Sequence, residues 1–85
     1  MMRRTDIEKY EGTLKELAED IGNLRYDALT DFLRLLSEKI KSDAIKDQAR
    51  KRQKLANCLD TCAEKLQKAS ADINEAWKIC EPYMK

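Results

Sequence analysis

LANCLDTCAEKLQKASADINEAWKIC, residues 55–80, is the stretch on which the fold turns. Apolar or small residues fall at Leu55, Leu59, Cys62, Leu66, Ala69, Ile73, Ala76 and Cys80. The steps alternate between four and three, which is a heptad seam on one face of a helix. Such a helix does not stand alone in water and needs a partner face.

The N-terminal half offers one. Ile7, Tyr10, Leu14, Leu17, Ile21, Leu24 and Ala28 keep the same alternation, followed by four-residue steps through Phe32, Leu36 and Ile40. Thr5-Asp6-Ile7-Glu8 has the form of a capping box, in which hydroxyl and carboxylate satisfy each other's backbone N–H groups. The spacing therefore predicts a first helix over about 6–41. The first four residues, Met1 to Arg4, stand outside it as a frayed end. Lys41-Ser42-Asp43 reads as the turn, with lysines suited to a helix C-terminus and Ser42 or Asp43 to the next N-cap; a turn a little later, inside 44–50, is the alternative. A second helix over about 44–80 ends at Glu81-Pro82, because the residue before proline is pushed out of helical geometry.

The expected fold is all-α, a long antiparallel helical hairpin. A chain reversal at residues 42–43 pairs positions whose numbers sum to about 84. Tyr10 then meets Ile73, Leu17 meets Leu66, Leu24 meets Leu59, and Trp77 closes the open end over Ile7. The alternative is a three-helix bundle with a turn at Gly22-Asn23, where a mid-helix glycine costs about 1 kcal/mol relative to alanine and Asn23 can cap a new helix.

In the hairpin register, Leu29, Phe32, Leu33, Leu36 and Ile40 face the polar residues Gln48, Arg52 and Gln53. The apolar stripe is thus left without an apolar counterpart. Lysine and arginine stems can cover part of it. A second copy would cover all of it and complete a four-helix bundle. A chain of 85 residues, read as a single helical domain over 1–85, buries only about 60–65% of its unfolded surface. A homodimer is the expected assembly.

The net charge is +1, so there is no global electrostatic case for nucleic-acid or membrane binding. The basic residues concentrate in Arg50-Lys51-Arg52-Gln53-Lys54, with Lys46 nearby. Such a cluster can touch phosphates, but no aromatic residue is interleaved for base stacking. The chain has no histidine, hence no ordinary general base and no Ser-His or Cys-His pair. It also lacks a glycine-rich phosphate loop. Glu16, Glu19, Asp20 and Asp27 read as solvated helix faces rather than metal ligands.

Three cysteines occur. Cys58 and Cys62 share a helical face and could with Cys80 offer thiolates to zinc. Cys62 and Cys80 also fit the apolar seam, and core packing is the reading favoured. No cofactor is expected. Met1-Met2-Arg3-Arg4 is followed by charged residues rather than an apolar region, and no apolar run reaches bilayer length. The expectation is a cytoplasmic protein with reduced thiols and no membrane partner.

Function is read accordingly as a non-catalytic helical interaction or adaptor protein. Its contact surface would be Leu29, Phe32, Leu33, Leu36 and Ile40, joined by Arg50, Lys51, Arg52 and Lys54. The alternative is a nucleic-acid-associated regulator using that basic cluster.

Overall fold

The computed structural model describes residues 3–83. The chain is all-helical, with α1 at Leu14–Gly22, α2 at Tyr26–Ala49 and α3 at Gln53–Cys80, closed by a 3₁₀ turn at Glu81–Tyr83. α2 and α3 pair as an antiparallel hairpin and make nearly all of the contact between helices.

The expected helix over 6–41 is two helices, broken at residues 23–25. The break is the one anticipated at Gly22-Asn23. Asn23 N–H donates to the carbonyls of Glu19 and Asp20, and Leu24 N–H to Ile21. Arg25 then leaves helical geometry at φ −54°, ψ 144° and starts α2. Asp27, in the first turn of α2, accepts the Ala28 N–H at 2.8 Å and both ends of the Arg25 guanidinium fork at 2.7 Å.

The first helix also begins later than Thr5. The working capping box is Thr13-Leu14-Lys15-Glu16: Thr13 Oγ1 accepts from Glu16 N–H at 3.1 Å, and Glu16 Oε1 accepts from Thr13 N–H at 3.0 Å. Gly12 explains the choice. A helix started at Thr5 would meet it after less than two turns, too short to repay nucleation, whereas Leu17 and Ile21 follow Thr13 on one face. The segment before Thr13 folds back instead. Tyr10 Oη donates to Asp20 on α1, and Arg3 reaches Asp43 on α2 at 3.4 Å. Arg3 is not a frayed end, and Met1 and Met2 lie outside the described residues.

The chain reverses at residues 50–52, not at 42–43. Ser42 and Asp43 lie inside α2, where Asp43 accepts from Lys39 Nζ at 2.8 Å one turn away. At the true turn Lys51 adopts φ 60°. Lys51 N–H donates to Gln48 O at 3.0 Å and Arg52 N–H to Asp47 O at 2.8 Å. These two bonds form a Schellman motif, with lysine where glycine is usual.

The later turn moves the helix register by sixteen. Ser37 Oγ donates to Ala63 O at 2.8 Å, and Ser70 Oγ donates to Thr30 O at 2.9 Å. Each pair sums to 100. Lys41 Nζ meets Asp60 at 2.7 Å in the same register. The expected pairs summing to 84 do not form. Leu36 and Ile40 therefore lie opposite the α3 residues around Ala63 and Asp60, not opposite Gln48 and Arg52. In this register Leu59 and Leu66 fall on α3 within one turn of those positions, the apolar neighbours that the earlier turn denied them.

The seam itself is made of small residues seven apart: Thr30, Ser37 and Ala44 on α2, Ala56, Ala63 and Ser70 on α3. Seven residues return to nearly the same face of a helix, and small side chains let two backbones approach until a serine reaches the opposite carbonyl. All but Thr30 are buried. With them sit Asp43 and Asp47, the latter 1% exposed and paired to Arg52 Nη1 at 3.5 Å.

Candidate functional site

Positions one and four residues before each seam residue form a flank on each helix. On α2 these are Tyr26, Leu29, Leu33, Leu36, Ile40 and Asp43. On α3 they are Leu55, Leu59, Cys62, Leu66 and Ala69, and the same spacing continues one heptad on through Ile73 and Ala76. An antiparallel pair is related by a local two-fold axis, so equal offsets from the seam fall on the same side of the hairpin. The two apolar stripes thus form one broad face. Arg3 on Asp43 shows that the N-terminal segment crosses part of its α2 edge.

This face is incompletely covered. Leu29, Leu33, Leu36, Ile40, Leu59, Leu66 and Ile73 are half-buried, while Leu55 is exposed. Phe32, expected on the same contact surface, is exposed but lies outside these flank positions, two residues past Thr30. Among the described residues, the buried apolar side chains are Ala44, Ala56 and Ala63 alone, and the largest fully buried side chain is the carboxylate of Asp47. Leu, Ile and Phe, the usual material of a core, are nowhere fully enclosed.

The expectation that cysteine packs in the core holds least for Cys62. Cys58 and Cys62 are both exposed and Cys80 is half-buried. Cys62 lies on the α3 flank beside the seam rather than in it, which is why the heptad phase fitted while the burial did not. No group of three or more Cys, Asp or Glu side chains among the described residues could hold a metal ion.

Arg50, Lys51, Arg52 and Lys54 come together at the hairpin tip, all exposed. Arg52 is held by Asp47. Lys46, Arg50, Lys51 and Lys54 make no ion pair among the described residues.

The opposite end carries a feature that the sequence reading missed. The α1–α2 junction and the end of α3 enclose an open cavity of about 570 Å³ lined by Leu24, Arg25, Tyr26, Ile79, Cys80 and Tyr83. Trp77 lies here. It packs under the Arg25 guanidinium, 5.2 Å from ring centroid to Cζ, and not over Ile7, which is exposed. The cation over an electron-rich ring face is favourable, and Asp27 fixes the guanidinium in place. That ion pair lowers the Asp27 pKa and raises that of Arg25.

Other displaced titrations have equally local causes. The Thr13 N–H cap lowers the Glu16 carboxyl. Lys39, then Arg3, lowers Asp43. Asp60 raises Lys41. The hydrogen bond to Asp20 pushes the Tyr10 hydroxyl up to about 12. Among the described residues, no helix is long and apolar enough to cross a membrane.

No protein-family model, curated protein or solved structure matches this chain.

Proposed function

We propose that this chain is a small, non-catalytic interaction protein that self-associates through the apolar flank of the α2–α3 hairpin. One observation carries the reading: among the described residues, a single chain encloses only three alanines as buried apolar residues. The accessible surface is 7037 Å², against about 5,200 Å² for a compact monomer of this mass. The radius of gyration is 15.4 Å, against about 12 Å for a compact chain of this length. Each side of a standard interface covers about 800 Å². The surplus on one chain is roughly twice that. The absence of histidine, with every displaced titration explained by a cap or pair, supports a non-catalytic role.

Sedimentation equilibrium tests the reading. The wild type is expected to dimerise in the micromolar range. Leu55→Arg and Cys62→Arg alter side chains that are exposed in the single chain, so helicity by circular dichroism should persist while the dimer dissociates. A wild type that stays monomeric at all concentrations sinks the proposal.

A second reading rests on the exposed cations at the tip. A nucleic acid gripped there through phosphates would bind with a steep salt dependence, and Arg50→Glu with Lys54→Glu would abolish it. Absence of binding at low salt removes this reading.

A further inference from the structure

The hairpin is electrically polar along its length. Residues 39–54, around the turn, hold seven bases and two acids. The other end comprises residues 14–34 and 66–81, which hold eight acids and five bases. The two ends belong to one rod: α2 and α3 have 24 and 28 residues, about 36 and 42 Å of helix, in a molecule 50 × 29 × 14 Å. At the turn, Arg50, Lys51 and Lys54 make no ion pair among the described residues. At the open end, Glu19, Asp72 and Glu81 have neither ion pair nor side-chain hydrogen bond among the described residues.

From this polarity, the surplus surface and the half-covered flank, we propose that the occupant of the flank is a second copy running antiparallel. The basic turn of each chain then lies against the acidic open end of the other. This rests on the self-association reading and adds its geometry. The argument is one of elimination by charge. A two-fold dimer with hairpins side by side in the same direction would set turn against turn, with seven bases facing seven. The antiparallel two-fold arrangement converts that repulsion into attraction at both ends, because an isologous interface repeats every contact twice. It leaves the apolar flanks facing each other outside the part of the α2 edge that the N-terminal segment crosses at Asp43. Charge of this kind fixes orientation more than it supplies affinity. The half-buried leucines would supply the affinity.

Two doubly substituted chains test the orientation. The first, Arg50→Glu with Lys54→Glu, reverses the turn. The second, Glu19→Lys with Glu81→Lys, reverses the open end. All four positions are exposed, and circular dichroism checks that helicity is kept. Homodimerisation of each chain at low salt is expected to weaken about tenfold, four exposed charge contacts having turned from attraction to repulsion. Mixed one to one, the two reversed chains are expected to form a heterodimer about as tight as the wild type, read by native mass spectrometry. In addition, wild-type affinity should fall as salt rises.

Preferential pairing of the turn-reversed chain with wild type overturns the proposal in favour of a parallel dimer. So does wild-type affinity that increases with salt, or a dimer indifferent to every reversal. In these cases self-association itself stands. A wild-type chain monomeric at every salt concentration overturns both.

Discussion

Arg52 is joined to Asp47 twice: its backbone N–H donates to the Asp47 carbonyl at 2.8 Å, and its guanidinium reaches Asp47 Oδ1 at 3.5 Å. The main-chain bond closes the Schellman turn that reverses the chain. The side-chain bond partners a carboxylate that is otherwise sealed beneath the helix end. A negative charge near a helix C-terminus opposes the dipole, so Asp47 depends on Arg52 for compensation. In many Schellman turns an apolar contact spans these positions. Here an ion pair takes that place.

The turn should be improvable at the residue between them. Lys51 holds φ 60°, a conformation that costs a residue with a Cβ about 1–2 kcal/mol and glycine almost nothing. Glycine also loses more entropy on folding, which offsets part of the gain. Lys51→Gly is therefore expected to stabilise the hairpin by about 0.5–1 kcal/mol, seen as a higher urea midpoint with unchanged slope. A destabilised Lys51→Gly protein would contradict the turn geometry.

The seam makes a second prediction. Ala63 is 4% exposed and its carbonyl accepts from Ser37. A leucine at 63 adds three heavy atoms where two backbones pass closely. Overpacking of this kind costs about 1–3 kcal/mol. Ser37→Ala should cost about 1 kcal/mol, for the lost hydrogen bond alone. The matching change on the flank, Cys62→Leu, should shift monomer stability by less than about 0.5 kcal/mol. Urea unfolding of the three variants at one protein concentration, well below the micromolar range of the proposed dimer, checks the ranking.

The helical class and the end of α3 were legible, because each has a local cause: periodicity and a proline. The break after Gly22 was legible only as the alternative to one long helix, because the apolar phase runs through the glycine and its asparagine without a slip. The reversal at 50–52 was not legible. Turn signals are read from glycine and proline, and here a lysine takes the left-handed position with charged neighbours that suit a helix equally well. Ser42-Asp43 carried a cap signal, but Lys39 neutralised Asp43 within the helix, so the cap was never required. One misplaced turn then shifted every cross-helix pair and created an apparent lack of apolar partners for Leu36 and Ile40. The small-residue repeat Thr30, Ser37, Ala44 with Ala56, Ala63, Ser70 was also available. A search for large apolar side chains passes over it, since what those positions supply is close approach. For the candidate site, the Leu29–Ile40 stripe and the basic cluster were readable as groups. That the stripe shares one face with Leu55–Ala76 follows only from the correct register.

The N-terminal clasp yields a pH prediction. The Tyr10 hydroxyl donates to Asp20, which favours its protonated form, and nearby Glu16 adds to the effect. Gly12 makes the approach possible: a Cβ there would stand 2.7 Å from Tyr10 Cε1. The Tyr10 pKa is pushed up to about 12 in the folded chain, from about 10 in an unfolded one. The sign follows from linkage. The clasp's contribution is fully present below pH 10 and is lost as the pH rises from 10 to 12, because the unfolded state gives up its proton first. Absorbance at 295 nm should therefore resolve one tyrosine titrating near 12, and Tyr10→Phe should remove that step. Asp20→Asn removes the charge that holds the proton and should return the step toward 10. Unchanged titration in Asp20→Asn would place the cause elsewhere than the clasp. Trypsin cleavage at Lys9 should quicken in the same variant at neutral pH, since the segment that leads from Arg3 to α1 loses its tether.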